Sequence, residues 1–250
     1  MNTETEGIIL KQVKTINGRR MVLLFSKKYG KISAGTGMNE RGRGRSALAL
    51  RPFTHGKYDI YKNRDTYNIN SAEVLKAYYK IGEDVEKYMC ASFVLEFTEK
   101  LLPGELPSPE IFRLLLDFFD IIENRKKKYM TLVVAFQLKA IQIMGMAPET
   151  ERCVECGKRE DLAFFSVRSG GTLCADCRNI DGNNNDELLY EVDFDTIGTF
   201  KYFFGNNLKS IENIALNGEI LAKLREIIKD YRSYHLSMAE LVSEDFLKID

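Results

Sequence analysis

The sequence predicts an α+β protein with several domains, in which a small N-terminal β-barrel is followed by an α-helical domain with a cysteine-rich insertion. Short strand-like segments fill residues 8–69, helical periodicity takes over from about residue 72, and four cysteines lie within residues 153–177. The 250 residues, 44% of them hydrophobic, are enough for real cores. We expect a barrel over residues 1–80, a helical domain over residues 81–152 and 178–250, and an insertion over residues 153–177.

The barrel is predicted from five short segments with strand character. Alternation begins at Ile8 and Leu10, and Asn17-Gly18 is a hairpin signal because both residues tolerate positive φ. Strand character recurs in further segments, at residues 21–25, 32–34, 53–61 and 67–69. One long glycine-rich loop, at residues 35–44, divides them. The pattern fits a Greek-key barrel of the OB-fold type, and an SH3-like barrel also fits it.

The helical domain is predicted from apolar residues at three- and four-residue steps, along residues 111–122 and again along residues 220–231. Ser108 and Pro109 supply an N-cap and a first-turn proline for the first of these helices. Two more helices are predicted over residues 84–102 and 128–144. Such stripes are typical of core-facing helices, so we expect a bundle. The asparagine-rich residues 181–186 are predicted to form a loop.

The insertion carries the most specific motif of the chain. Cys153 and Cys156 form one C-x2-C pair, Cys174 and Cys177 form another, and 17 residues separate the pairs. Two such pairs supply four thiolates for a tetrahedral zinc ion, so the sequence predicts a zinc finger with one Zn²⁺ per chain. Four protein ligands leave no position for an activated water, which indicates a structural role. Two disulfides are the alternative, disfavoured by the absence of a secretion signal.

The net charge of zero hides a strong asymmetry. Residues 1–80 hold 16 basic and 6 acidic side chains, a balance of +10, and the remaining 170 residues balance at −10. A cationic third joined to an anionic remainder is typical of a protein that binds a polyanion, although a merely solvated basic surface is the alternative.

A cationic loop is the strongest candidate for contact with nucleic acid. Arg41, Arg43 and Arg45 alternate with small residues, so an extended loop would point three guanidinium groups the same way. Further candidates flank a separate turn or follow the loop, namely Lys27, Lys28, Lys31 and Arg51. Aromatic residues that could stack on bases are Tyr29, Phe53, Tyr58, Tyr61 and Tyr67, of which we expect at least half to be core residues.

Several function classes lack their motifs. No apolar run approaches the roughly 20 residues that a membrane helix needs, so no membrane partner is expected. The first six residues carry two glutamates and no basic residue, unlike a secretory signal, which favours a cytoplasmic protein. No phosphate-binding loop is present, and neither His55 nor His235 has a catalytic context. We therefore expect no enzyme, and a nucleic-acid-modifying enzyme with an accessory zinc ribbon is the disfavoured rival.

The chain resembles the RecO family of bacterial DNA repair proteins in segments that follow the family's order almost from end to end. They are Thr5-Glu6-Gly7-Ile8-Ile9-Leu10-Lys11, residues 23–33 (LLFSKKYGKIS), Arg51-Pro52-Phe53, residues 91–96 (ASFVLE), residues 136–139 (FQLK), residues 145–148 (GMAP), residues 153–157 (CVECG) and residues 231–236 (YRSYHL). The match is thin between Cys177 and about Leu221.

The resemblance implies an OB-fold barrel, a helical domain and, in one branch of the family, a zinc-binding insertion. It implies a recombination mediator that binds single- and double-stranded DNA, anneals complementary strands without ATP and helps to load RecA on DNA coated with single-strand binding protein. The implied partners are RecR and the acidic, hydrophobic C-terminal tail of single-strand binding protein, and the implied location is the bacterial nucleoid. A generic single-stranded DNA- or RNA-binding barrel with a structural zinc finger is the alternative.

Overall fold

The computed structural model describes residues 2–14, 20–38, 45–64, 66–178, 188–238 and 240–247. By packing, the chain divides into two compact units. Unit 1 comprises Met1–Arg125 together with Ser243–Asp250, and unit 2 comprises Lys126–Val242. The predicted boundaries after residues 80, 152 and 177 stay predictions. Asn17-Gly18, Arg41, Arg43 and the residue 181–186 loop lie outside the described residues.

The first half of unit 1 is a closed five-stranded barrel. Its strands are β1 (Asn2–Lys14), β2 (Arg20–Ser26), β3 (Gly30–Thr36), β4 (Thr54–Asn63) and β5 (Thr66–Ala77). They pair in the order β1-β2-β3-β5-β4, and β4 closes the barrel against β1. All pairs are antiparallel except β3 with β5. A short helix, α1 (Arg45–Leu48), lies between β3 and β4. This is the OB-like barrel that the strand pattern predicted.

Alternation of apolar and polar residues turns one face of each strand inward. On β4, the inward positions Thr54, Gly56, Tyr58 and Ile60 are buried while the residues between them are partly exposed. The barrel core contains Ile9, Leu24, Ile32 and Tyr67 among others. At about 25 cal/mol per Å² of apolar surface, such burial is the main stabilising contribution to the barrel.

The second half of unit 1 is helical. Its helices are α2 (Tyr79–Gly82), α3 (Val85–Leu101) and α4 (Pro109–Asn124). Asp84 begins α3 as its N-cap, because its carboxylate accepts a hydrogen bond from the Lys87 backbone N–H at 3.0 Å. Pro109 occupies the first turn of α4 as predicted. Aromatic contacts join these helices to the barrel, with Phe25 and Phe112 ring centroids 5.4 Å apart.

Unit 2 combines three helices with a small sheet. The helices are α5 (Tyr129–Ile143), α6 (Phe194–Gly205) and α7 (Gly218–Leu236), and α5 packs against the other two. The strands are β6 (Leu162–Ser166), β7 (Gly171–Cys174) and β8 (Leu189–Glu191), in the antiparallel order β7-β6-β8. Helix α6 and the sheet were not predicted from the sequence. The strands of the sheet are three to five residues long and have no clear period. No helix among the described residues has the length and apolarity to cross a membrane.

Candidate metal centre and nucleic-acid interface

The four cysteines of the insertion come together at one point. The sulfur atoms of Cys153, Cys156, Cys174 and Cys177 all lie within 4.8 Å of one another, and those of Cys156 and Cys174 are 3.7 Å apart. A tetrahedral zinc site with Zn–S bonds of about 2.3 Å has sulfur atoms about 3.8 Å apart. No disulfide joins any of the five cysteines in this structure, which leaves the four clustered sulfur atoms available as metal ligands. The geometry therefore fits a tetrahedral metal ion.

Local turns place each pair of cysteines. After Cys153 the chain turns back, its carbonyl accepts a hydrogen bond from the Gly157 N–H at 2.9 Å, and Gly157 has a φ of +76° that favours glycine. Cys174 ends β7, and Cys177 lies in the single 3-10 turn that follows. Three of the four cysteines belong to a small apolar core with Phe164 and Leu173, while Cys156 is exposed.

The thiols have unequal proton affinities. Burial raises the pKa of Cys153, but backbone hydrogen bonds from Cys156 and Cys174 outweigh it and lower that pKa to about 6. Burial and the neighbouring sulfurs raise the pKa of Cys177. Four adjacent thiolates repel one another, so a bound cation is what would hold all four ionised together.

The cations of the barrel fall into two groups. Five lysines lie within ion-pair distance of carboxylates, in the pairs Lys27–Glu6 at 2.9 Å, Lys57–Glu4 at 2.8 Å, Lys62–Glu105 at 3.3 Å, Lys76–Asp120 at 2.5 Å and Lys11–Glu99 at 3.9 Å. In contrast, no carboxylate lies within that distance among residues 2–14, 20–38 and the other described ranges for Arg20, Lys28, Lys31, Arg51 and Arg64. Three of these carboxylates, on Glu99, Glu105 and Asp120, lie outside residues 1–80 and so offset three of the ten positive charges of that segment.

Lys27 and Lys28 lie at one end of the β2–β3 strand pair, and their contact with DNA stays a prediction. Lys27 and Lys28 lie in the turn between β2 and β3, beyond the Ser26–Gly30 pair, whereas the chain leaves β3 for the arginine loop at Thr36, which pairs with Arg20. Six residue steps, about 20 Å, separate the two ends of this strand pair. The Lys28 Nζ donates a hydrogen bond to the Thr3 hydroxyl at 2.8 Å.

Lys31 points to helix α3 and has a structural role. Its Nζ donates hydrogen bonds to the backbone carbonyls of Glu99 and Leu102 at 2.6 and 2.7 Å. Burial lowers the pKa of this lysine. We therefore do not include Lys31 in the DNA surface that is proposed below.

The arginine candidates are placed only in part. Arg45 begins α1, but its side chain is outside the described set, as are Arg41 and Arg43. Arg51 is exposed in the turn that follows α1, where its N–H donates to the Leu48 carbonyl at 3.0 Å. The assignment of these arginines to DNA stays a prediction.

A groove of about 540 Å³ opens on the barrel near the end of β3. It is lined by Arg20 and Met21 of β2, by Gly35, Thr36 and Gly37, and by residues 66–70 of β5. Its volume is within the range of about 300–1,000 Å³ that is typical of ligand pockets. Arg20 is a cation at its wall, and its Nη1 donates to the Met38 carbonyl at 3.2 Å.

The aromatic candidates divide as expected between core and surface. Tyr58, Tyr67 and Phe53 are buried, and the Tyr58 hydroxyl donates to the Ala49 carbonyl at 2.6 Å. Tyr61, in contrast, is 41% exposed on the outer face of β4. The groove was not predicted from the sequence, because Thr66, Asn68 and Asn70 form no sequence motif and are brought to the groove only by strand register.

Comparison with known proteins gives the same assignment along the whole chain. The family model described as "Recombination protein O N terminal" matches residues 1–78, and "Recombination protein O C terminal" matches residues 82–245. Similar proteins include the DNA repair protein RecO of Thermoanaerobacter sp. (strain X514), which is 30% identical over 98% of this chain and 96% of its own length. RecO of Alkaliphilus metalliredigens is 25% identical over 99% of both chains, and RecO of Oceanobacillus iheyensis is 28% identical over 92% and 87%. The chain belongs to the RecO family of DNA repair and recombination proteins.

Proposed function

We propose that the protein binds single- and double-stranded DNA through its barrel and acts as a recombination mediator in DNA repair. The observation that carries this proposal is the sorting of charge in unit 1. Carboxylates neutralise five of its lysines, while Arg20, which lines the groove, has no carboxylate within ion-pair distance among the described residues. Phosphates are attracted to cations that no nearby carboxylate already neutralises.

The mediator activity rests on family membership. We propose ATP-independent annealing of complementary strands and help in loading RecA on DNA coated with single-strand binding protein. We also propose RecR and the C-terminal tail of that binding protein as partners. Annealing needs a surface that neutralises phosphates and leaves base edges free, which requires no catalytic group, so we propose that the protein is not an enzyme. Such work on DNA would take place at the nucleoid, in the cytoplasm.

For the cysteine cluster we propose one structural Zn²⁺ per chain. Zinc prefers four thiolates in a tetrahedron, and Cys153, Cys156, Cys174 and Cys177 are arranged to provide them. The ion would join the turn at residues 153–157 to the end of β7 and would supply stability to the small insertion, which has few core residues of its own.

DNA binding by the barrel is tested by replacing Arg20, Arg41, Arg43 and Arg45 together with alanine in the full chain. Each phosphate contact contributes about 0.7 to the salt dependence on single strands, so we expect a slope that falls by up to about 3 and a much lower affinity in fluorescence anisotropy. The matched control removes an ion pair without changing net charge, as Lys57→Ala with Glu4→Gln. Equal affinity and slope in all three proteins would refute the assignment of DNA to this surface.

The mediator proposal is tested by annealing labelled complementary strands coated with single-strand binding protein, without ATP and with or without RecR. We expect annealing of the coated strands, and faster annealing with RecR. Binding of bare single strands without annealing of coated ones would instead support the generic single-strand-binding alternative.

A further inference from the structure

One row of outward-facing residues crosses the wall of the barrel at the groove. Strand register places Met21 opposite Gly35, Gly35 opposite Asn68, and Asn68 opposite Tyr61. Register partners in a sheet point to the same face, with Cβ atoms of direct neighbours about 5 Å apart. Four groups therefore lie side by side across β2, β3, β5 and β4, namely a thioether, a glycine, an amide and an exposed phenol ring.

The glycine in this row leaves the space that the Asn68 amide occupies. A Cβ atom on Gly35 would lie 2.9 Å from the Asn68 Oδ1 and 3.6 Å from the Met21 sulfur. The Asn68 amide thus lies over the Gly35 backbone. Gly37, which continues the groove floor, has open space where its Cβ would be.

A bulge beside the row adds a second amide. Asp59 pairs with Ser71 and Ile60 pairs with Ile69, so Asn70 is the extra residue of β5 between them. Bulges re-aim side chains and are frequent beside binding sites. Asn70 lines the groove next to Asn68, and both side chains are exposed.

The chemistry of this wall suits a nucleobase better than a phosphate. Amides carry both a donor and an acceptor and can pair with base edges, aromatic rings stack on base faces, and a glycine floor allows close approach. The groove wall offers two amides, Tyr61 is adjacent to it by register, and Arg20 is the cation in the lining, placed where a backbone phosphate could follow.

We propose that Tyr61, Asn68 and Asn70 form a subsite for an unpaired nucleobase, with Tyr61 stacking on the base and the two amides binding its edge. The inference rests on the proposed DNA binding and deepens it by separating two modes. Bases inside a duplex are stacked and paired, so this subsite is used by single strands, while phosphate contacts serve both forms of DNA.

The test compares binding of a 20-nucleotide oligothymidylate and a 20-base-pair duplex to the full-length chain. Tyr61→Ala is expected to weaken single-strand binding about tenfold, since stacking on an aromatic residue contributes about that much per base. The double variant N68A/N70A is expected to show a similar loss, and Tyr61→Phe to bind as the unaltered protein does. Duplex affinity is expected to change less than twofold in all of them. Tyr202→Ala, at a tyrosine with 42% exposure in unit 2, is the control for loss of an exposed ring.

Equal losses on single strands and duplex, or no loss on either, would overturn the subsite, as would a Tyr61→Phe variant as weak as Tyr61→Ala. Failure of the unaltered protein to bind either DNA would overturn the proposed function itself. Folding of each variant is checked by circular dichroism. Gly35→Ala, whose Cβ would displace the Asn68 amide without removing it, gives a further test with the same expected loss on single strands.

Discussion

The Lys31 Nζ lies 2.6 Å from the backbone carbonyl of Glu99, in the last turn of helix α3. The last carbonyls of a helix have no partner within it and carry the negative end of its dipole. Two more lysines have the same role. Lys87 donates to the Glu123 carbonyl at the end of α4 at 2.8 Å, and Lys139 donates to the Phe204 carbonyl at the end of α6 at 2.9 Å. The last carbonyls of three helices therefore accept hydrogen bonds from ammonium groups on other elements.

Replacement of Lys31 by methionine is expected to destabilise unit 1 by about 1–3 kcal/mol, because two carbonyls lose their charged donor. Lys28→Met is the matched control, since within the described ranges the Lys28 Nζ contacts the Thr3 hydroxyl and the face of the Tyr29 ring, and no helix end. Urea denaturation followed by circular dichroism measures both. Similar unfolding midpoints for the two variants would contradict the capping role of Lys31.

Gly30 is the second test of how the helical segment is joined to the barrel. Its φ is +71°, and a Cβ atom there would lie 2.2 Å from the Leu106 carbonyl oxygen. Gly30→Ala is therefore expected to cost more than about 2 kcal/mol, from backbone strain and the displaced loop. Gly104→Ala, in the same loop region but with open space at its Cβ, is expected to be neutral. A Gly30→Ala protein with unchanged thermal stability would show that the close contact between Gly30 and the loop between α3 and α4 does not stabilise unit 1.

Metal binding is expected to depend on all four clustered cysteines. Elemental analysis should find about one zinc per chain in the unaltered protein, and a large reduction in Cys153→Ser or Cys174→Ser. Hydrogen exchange over residues 153–177 is expected to accelerate in these variants, because metal binding and local folding are coupled. Cys90→Ala, at a buried helical cysteine outside the cluster, is expected to keep its zinc. Zinc retained in Cys174→Ser would rule out the four-thiolate site.

Acid sensitivity is expected from Glu6, whose carboxylate lies 2.9 Å from the Lys27 Nζ and 3.1 Å from the His55 Nε2. The hydrogen bond from Lys27 lowers the pKa of Glu6 below its usual value of 4.5, with a further contribution from His55. A carboxylate with a lowered pKa in the folded state stabilises it above pH 4.5, and this contribution is lost as the pH falls through the folded-state pKa.

Glu6→Gln should therefore lose less stability than the unaltered protein between pH 6 and pH 3, as measured by urea denaturation at each pH. Glu83→Gln is the control, at an exposed glutamate that forms no ion pair with a residue in the described ranges. A parallel loss in all three proteins would show that Glu6 does not contribute to acid unfolding.

The parts of the fold that depend on local pattern were predictable. Pro109 and the apolar stripe at residues 111–122 predicted α4 to within two residues of its observed end at Asn124. The two C-x2-C pairs predicted the cluster of four cysteines. These predictions succeeded because helix periodicity and ligand spacing are short-range properties. The barrel was predicted with its five strands, although β5 extends to Ala77, eight residues beyond the predicted Ile69.

The parts that depend on register were not predictable. Lys31 was expected to face DNA because it follows Lys27 and Lys28, and only the packing of α3 against the barrel shows that its charge is used inside the protein. In the same way, Asn68 and Tyr61 are seven residues apart in the sequence, and they become neighbours through the pairing of β4 with β5. A one-residue shift of that pairing would separate them, and no local signal fixes it.

The segment at residues 243–247 belongs to unit 1 but is synthesised only after unit 2. Ser243 donates its backbone N–H and its hydroxyl to the carboxylate of Glu96 on α3, and both Ser243 and the buried Leu247 belong to a short 3-10 helix at Val242–Leu247. Unit 1 thus combines residues that precede unit 2 in the chain with residues that follow it. During translation the barrel and α3 are made well before Ser243, so the hydrogen bonds from Ser243 to Glu96 form only after all of unit 2 has been made. Unit 1 therefore begins to form before unit 2 is made and is completed after it.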